Sequence, residues 1–276
     1  MAGPFGFLPR WVVERMPWGT DWKIDPLNMQ IMPVVEPAQL SSQPETIQRT
    51  LMRARRGKCF QVLDGWRNEM YPVAGHRSVA MERAGSALFG INTYGVHMTV
   101  YTVIDGKTKI WVPRRARDKQ TYGGMLDNTV AGGLTAGEHP FDCLLREATE
   151  EASLPEDLVR RNAKPCGTVS YFHLRDCRAG GESDLCQPEC QYVYDMAVER
   201  DVQPKPNDSE VEEFFLCSID DIESRLSNSE FKPNCALVLL DFLVRHSFLT
   251  ADNEPCYTEI ATRLHRALPF PSHAPE

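Results

Sequence analysis

Apolar and polar positions alternate along this chain in two periods, and the change of period divides it. In the first 90 residues the pattern is mixed. Gly6 to Met16 reads as a short helix, followed by a loop containing proline and tryptophan. Pro44 to Arg56 reads as a helix opened by Ser42, with Ile47, Leu51 and Met52 turned inward. Strands are expected at Cys59 to Leu63 and Met70 to Val73, and a helix at Ser78 to Leu88. From Tyr94 the two-residue period dominates. Val96 to Ile104 and Lys109 to Arg114 read as strands joined at Asp105-Gly106, a dipeptide that suits a tight hairpin. A short strand is expected around Val130. A helix follows, with Pro140 in its first turn and Phe141, Leu144, Leu145, Ala148 and Ala152 on one apolar face.

Beyond it, Gly167 to Leu174, Gln191 to Glu199 and Glu210 to Cys217 read as strands, and Ile219 to Leu226 and Pro233 to His246 as helices. Few signals follow Ala251, which reads as a loosely packed tail. Strands, a helix, more strands and closing helices make an α/β (α+β) chain whose main part is an α/β/α sandwich over a mixed sheet. The expected organisation is a smaller α+β accessory domain over 1–90, the sandwich over 91–248 and a tail over 249–276.

Charge and composition narrow the function. A net charge of −8 argues against a nucleic-acid partner, which would call for a basic surface. No apolar run approaches a membrane span, and Met1 to Arg10 lacks the apolar core of a secretory leader. Ser-His-Ala-Pro-Glu at the end is not a peroxisomal tripeptide. Nine cysteines, an odd number, then read as reduced thiols, and the expected location is the cytoplasm. His173, Cys177, Cys186 and Cys190 have a composition that could suit structural zinc, but no C-x2-C pair is among them. The competing reading is a flexible loop that carries thiols.

The candidate chemistry lies in 132–154. Glu147, Glu150 and Glu151 are three and four residues apart, so Glu147 lies beside both others on one helical face. Such like-charge pairs destabilise a bare helix by about 0.2–0.5 kcal/mol each, and a hard divalent cation would reverse that. Taken alone, three glutamates also fit an ordinary solvated face. The surrounding spacing tips the balance. Gly132 stands six residues before Glu138, Glu138 eight before Arg146, and Arg146-Glu-Ala-Thr-Glu-Glu runs without a gap.

This pattern resembles the Nudix box, Gly-x5-Glu-x7-Arg-Glu-U-x-Glu-Glu-x-Gly-U with U aliphatic. Ala148 is a small U residue, and Ser153 replaces the closing glycine. Ser153 is expected to cap the next helix instead, with Glu156 completing a capping box and Pro155 in the first turn. The resemblance widens upstream. Arg114-Arg115 through Lys119 and Tyr122-Gly-Gly-Met-Leu-Asp127 resemble the lead-in of one Nudix subgroup. Trp66 to Val73 and Leu88 to His97 resemble the accessory domain and junction of thiamine-pyrophosphokinase-related Nudix proteins.

The resemblance implies an Mg²⁺-dependent diphosphate hydrolase, with Mn²⁺ as a substitute. It further implies a small-molecule partner, a thiamine-like and possibly oxidised diphosphate cleaved to a monophosphate and phosphate. Glu147, Glu150 and Glu151 would hold metal, helped by a main-chain carbonyl near Ala131 or Gly132, with Glu138 joining when substrate is present. The catalytic set would be Glu147, Glu150 and Arg146, the arginine fixing a glutamate rotamer. The general base could be Glu147 or Glu150, or one of Glu210, Glu212 and Glu213, which equally read as an exposed strand edge. Arg115 and Lys119 are the candidate phosphate ligands; the competing reading is an exposed basic loop paired with Asp118 or Asp127. Tyr94, Trp111, Tyr122 and Trp66 could stack on a heterocycle or serve as core.

Three other functions stay open on the residues. One is hydrolysis of another nucleoside or isoprenoid diphosphate. A second is isomerisation, which would need a cysteine and glutamate placed for proton transfer; Cys143 reads more simply as a small buried residue. The third is a silent binding module.

Overall fold

The structure is a computed structural model that describes residues 4–34, 43–75 and 79–270. The N-terminal unit comprises α1 (Arg10–Arg15), β1 (Trp22–Asp25), β2 (Gln30–Pro33), α2 (Gln43–Arg56), β3 (Met70–Pro72), β4 (Ala80–Glu82) and α3 (Ser86–Phe89). Ile47 and Leu51 of α2 are buried with Val12, Phe60, Leu63, Met81 and Phe89 in one core, and Met52 is half-buried. The expected N-cap Ser42 lies outside the described residues. Helix α1 is shorter than the pattern implies, starting only after Pro9.

Three expectations fail in this unit, the first being the loop after Met16, where β1 and β2 pair as a hairpin. Cys59 to Leu63 is not a strand: Gln61–Gly65 forms a 3₁₀ turn. The Glu182 carboxylate stops it from pairing as a strand, accepting from the backbone N–H groups of Gln61 and Val62 at 2.6 and 2.9 Å. Nor does Ser78 to Leu88 make one helix. Ala80–Glu82 pairs with β3 as a strand, and a 3₁₀ turn (Arg83–Gly85) leads into α3. Buried Glu82 accepts from Arg67 and Ala84 backbone N–H, which fixes the break.

The main unit contains β5 (Thr93–Ile104), β6 (Lys107–Arg115), β7 (Val130–Gly133), α4 (Pro140–Ala152), α5 (Glu156–Asn162), β8 (Ala163–Leu174), β9 (Cys186–Ala197), β10 (Val211–Ser218), α6 (Ile219–Ser227), α7 (Pro233–Arg245) and α8 (Tyr257–Leu264). The sheet order is β10-β6-β5-β9-β8, with β7 beside the first half of β5. Only β5 and β9 run parallel, so the sheet is mixed. Asp105 and Gly106 both have positive φ, as the expected hairpin requires.

Alternation along β5 separates two faces. Tyr94, Val96, Met98 and Val100 pack with Leu144, Leu145 and Ala148 of α4. Burying a leucine side chain is worth about 1.5–3 kcal/mol, so Leu144 and Leu145 anchor the acidic helix firmly. On the other side of the sheet, Ile110 and Val112 pack with Phe242 and Leu243 of α7, and Val169 and Val193 with its Val238. The fold is therefore an α/β/α sandwich over a mixed sheet, preceded by a smaller accessory unit.

The described part of the region after Ala251 is mostly exposed, yet it carries a helix with one deep anchor. Leu264 of α8 is buried against β8 and α7, and Ser170 donates to the Arg266 carbonyl at 2.7 Å. A short amphipathic helix with one deep anchor gives a weak sequence signal. Cys186 and Cys190 belong to β9, so the loop between β8 and β9 ends earlier than expected.

Candidate active site

The acidic helix opens as expected, with Pro140 at its first position, but it closes differently. Ser153 does not cap α5, whose N-cap is Pro155 without a side-chain cap. Ser153 itself takes the left-handed conformation, φ 52°, and its backbone N–H donates to the Ala148 carbonyl. A serine thus performs the turn that a glycine would make at lower strain.

Arg146 gathers the carboxylates. Its Nε donates to Glu138 at 3.0 Å, and its Nη1 to Glu147 at 2.7 Å and to Glu150 at 3.1 Å. Glu151 points elsewhere: it is buried, and accepts from the Ala131 backbone N–H at 3.0 Å. Side-chain exposure grades from 14% at Glu147 to 53% at Glu150. The strand beside them is glycine where side chains crowd it. A Cβ on Gly132 would stand 2.2 Å from the Glu147 carboxyl carbon, and one on Gly133 would stand 1.8 Å from the Tyr71 hydroxyl.

Burial governs the charges here. It pushes the Glu147 carboxyl up to about 7; Glu150 and Glu210 add to the rise and Arg146 opposes it. Burial, with Glu147 and Asp127 nearby, also raises Glu151 well above its ordinary value. Glu138, despite partial burial, is held below the usual range by Arg146 and Thr135. The cluster is thus short of positive charge.

A cleft of about 500 Å³ opens onto Glu147, Glu150, Glu151, Ala131 and Gly132. Arg115 and Lys119 reach it, but both are already engaged. Arg115 is buried, donating to Asp127 at 2.5 Å and to the Thr121 carbonyl at 3.1 Å. Lys119 forms an ion pair with Glu210. Neither is an exposed loop cation. Of the late-strand acids, Glu210 lines the cleft, while Glu212 and Glu213 are exposed and pair with Arg117 and Arg114. Glu210 is half-buried, which raises it, but Lys119 prevails and holds it below the usual range. Tyr94 and Tyr122 line the cleft, whereas Trp111 and Trp66 pack in the two cores.

Several cleft residues escaped the sequence reading. Arg67, Tyr71 and Arg83 come from the N-terminal unit. The floor holds Glu189 and Gln191, alternate residues of an interior strand, next to Tyr171 and His173. Tyr171 donates to Glu189, and Gln191 donates to both, at 3.1 Å to the Tyr171 hydroxyl and 2.8 Å to Glu189. Burial opposes ionisation of Glu189, but Tyr171 and Gln187 outweigh it and hold the carboxyl below its ordinary value. Two polar residues at i and i+2 of a buried strand were the available signal.

A family model described as the NUDIX domain matches residues 93–235. The chain belongs to the Nudix family. A second model, a domain of unknown function (DUF4743), matches residues 34–93. The chain is 46% identical over 217 residues to an uncharacterized protein of Saccharomyces cerevisiae, covering 75% of this chain and 63% of that one. It is 36% identical to Nudix hydrolase 20, chloroplastic, of Arabidopsis thaliana, covering 74% of this chain and 53% of that one. Identity to Nudix hydrolase 24, chloroplastic, of the same plant is 33%, with 74% and 54% covered. The chain thus spans between about half and two thirds of the length of these relatives.

The donor set of this Nudix cleft fits a hard divalent cation: carboxylate oxygens, an adjacent main-chain strand and a shortage of positive charge. Among the described residues, however, no group of three or more His, Cys, Asp or Glu stands close enough together to hold an ion as the chain lies. Arg146 holds Glu138, Glu147 and Glu150 instead. The same observation applies to His173, Cys177, Cys186 and Cys190, and all nine cysteines are free thiols.

Glu147 titrates near 7 in the folded chain against an ordinary 4.5, so folding takes up a proton between those values. Its contribution to stability is therefore lost as pH rises from about 4.5 through about 7. In metal-free protein at about pH 8, Glu151→Gln should raise the thermal midpoint by about 2–4 °C per kcal/mol relieved. Added Mg²⁺ should then protect the wild type more than the variant. Calorimetry checks both; a lower midpoint for the variant without metal would contradict the assignment.

Proposed function

We propose that this Nudix protein is an Mg²⁺-dependent hydrolase of a thiamine-like diphosphate, oxidised thiamine included, giving a monophosphate and phosphate. The observation that carries the reading is Glu147, a carboxyl lifted to about 7 beside the glycine strand and at the edge of a diphosphate-sized cleft. Nudix family members typically depend on Mg²⁺. In this reading Glu147, Glu150 and Glu151 hold the metal, with Glu138 joining when substrate is bound. Bound there, Mg²⁺ supplies charge neutralisation and a more acidic water.

The chain's own residues do the rest. Glu147, or Glu150 beside it, takes the proton from the attacking water. The water oxygen adds to one phosphorus of the diphosphate, and the bridging oxygen leaves with the other. Arg146 orients the carboxylates by its forked contacts. Glu210 is the base candidate outside the helix, though its pairing with Lys119 favours a positioning role. Arg115 and Lys119 contribute positive potential at the phosphate end.

Two observations favour a nitrogen heterocycle as the rest of the substrate. Glu189, whose carboxyl Tyr171 and Gln187 hold below its ordinary value against burial, lines the cleft and lends it negative potential, which suits a cationic ring. Tyr94 and Tyr122 supply aromatic surface. Isomerisation is less well supported: burial, with Glu138 and Glu147 adjacent, pushes the Cys143 thiol up, and its S–H is directed at the Gly133 carbonyl.

The organisation that goes with this reading is an accessory domain over 1–90, the Nudix domain over 91–248 and a C-terminal segment over 249–276. Nine free thiols suit a cytoplasmic location. Among the described residues no helix is long and apolar enough to cross a membrane.

The test is phosphate release from thiamine, oxythiamine and oxothiamine diphosphates, with and without EDTA. Release that EDTA abolishes is expected. Efficient cleavage of nucleotides with none of this panel cleaved would overturn the substrate assignment.

A further inference from the structure

The two units of the chain meet at the glycine pair. Strand β7 meets the Glu147 carboxyl at Gly132 and the Tyr71 hydroxyl at the next residue, Gly133. A side chain at either glycine would displace Glu147 or Tyr71. Tyr71 is in β3, so the N-terminal unit touches the strand that leads into the catalytic helix. Arg83 stands over the Tyr71 ring, 5.5 Å from its centroid, and its Nη1 donates to Glu69 at 2.9 Å. Arg83, Glu69 and Tyr71 all line the same cleft as Glu147 and Glu150.

A diphosphate needs cations of the protein's own besides those that its metal supplies. Several cations of the main unit are committed, while Lys232, also in the cleft lining, faces buried Asp127. Arg115 serves buried Asp127, Lys119 serves Glu210, and Arg175 donates to the carbonyls of Ala179 and Gly180 at 2.7 and 2.9 Å. Arg83 differs. A guanidinium has five N–H donors, and among the described residues only one atom of this one, Nη1, is engaged. Its side chain is 40% exposed, whereas that of Arg115 is 10% exposed.

We propose that the N-terminal unit forms part of the substrate site, with Arg83 binding the terminal phosphate beside the box carboxylates while Glu69 and Tyr71 hold its guanidinium in place. This rests on the diphosphate reading above and gives the accessory unit a role in it. The planar fork can grip two phosphate oxygens at once and still keep the Glu69 contact. Arg83 and Glu147 line the same cleft, so the acid and the cation face one space.

The experiment is calorimetric titration of the whole protein with inorganic pyrophosphate in the presence of Mg²⁺, for wild type, Arg83→Gln and Arg83→Lys. Arg83→Gln should weaken binding by about tenfold or more, and Arg83→Lys by less, because lysine keeps the charge without the fork. The thermal midpoint should change little in either. Wild-type affinity in Arg83→Gln would overturn the proposal. An equal loss in both variants, together with a lowered midpoint, would overturn it too, leaving Arg83 as packing between the units. If pyrophosphate binding depends on Arg83 but no diphosphate in the panel is hydrolysed, the thiamine-like substrate reading falls and this one stands.

Discussion

Glu150→Gln and Glu151→Gln are each expected to lower phosphate release by about a thousandfold or more, equivalent to roughly 4 kcal/mol of transition-state stabilisation. The two differ in surroundings, which makes the pair informative. Glu150 is half-exposed and touches only Arg146 among the described residues, so glutamine there should leave stability nearly unchanged. Glu151 is buried and accepts from the Ala131 backbone N–H. A glutamine carbonyl can keep that bond while removing a charge whose burial is unfavourable without metal. Both variants should therefore stay folded and lose turnover. Steady-state rates beside circular dichroism check this, and unchanged turnover in either would remove that residue from the metal site.

Arg115→Met is expected to cost stability before it touches substrate affinity. The Arg115 guanidinium and the Asp127 carboxylate are both buried, and Asp127 also accepts from Cys235 at 2.6 Å and from the Asn128 backbone N–H. Burial opposes that charge, but Lys232 and Arg115 hold the Asp127 carboxyl well below the usual range. Removing Arg115 leaves a buried carboxylate without its partner, a loss of about 3–5 kcal/mol. Adding Asp127→Leu should recover much of that, because the pair is then replaced by apolar groups. Denaturant unfolding of the single and double variants measures it. A single variant as stable as wild type, with a raised KM, would show that Arg115 chiefly holds phosphate.

Much of this protein was legible in its sequence because the signals are local. The acidic helix, its apolar face, its opening proline and the hairpin at Asp105-Gly106 depend on spacings of two to four residues, which backbone geometry converts directly into faces and turns. The strand at Val96 to Ile104 was likewise legible, though which of its residues meet α4 was not. Errors arose where a distant group overruled the local pattern. Glu182 stopped a strand at Gln61. The closed end of α4 required αL from a serine. One leucine docked α8 on a strand about 95 residues earlier in the chain.

By itself, then, the sequence determined the sandwich, the box helix and the carboxylates it presents, since helical and strand periods are properties of neighbours along the chain. Only the tertiary structure decided how those carboxylates are charged and what stands opposite them. Burial sets Glu147 near 7, Asp127 and Glu210 occupy the cations expected for phosphate, and the N-terminal unit brings Arg83 and Tyr71 to β7. Desolvation and ion pairing depend on distance in space, and that distance exists only once the chain has packed.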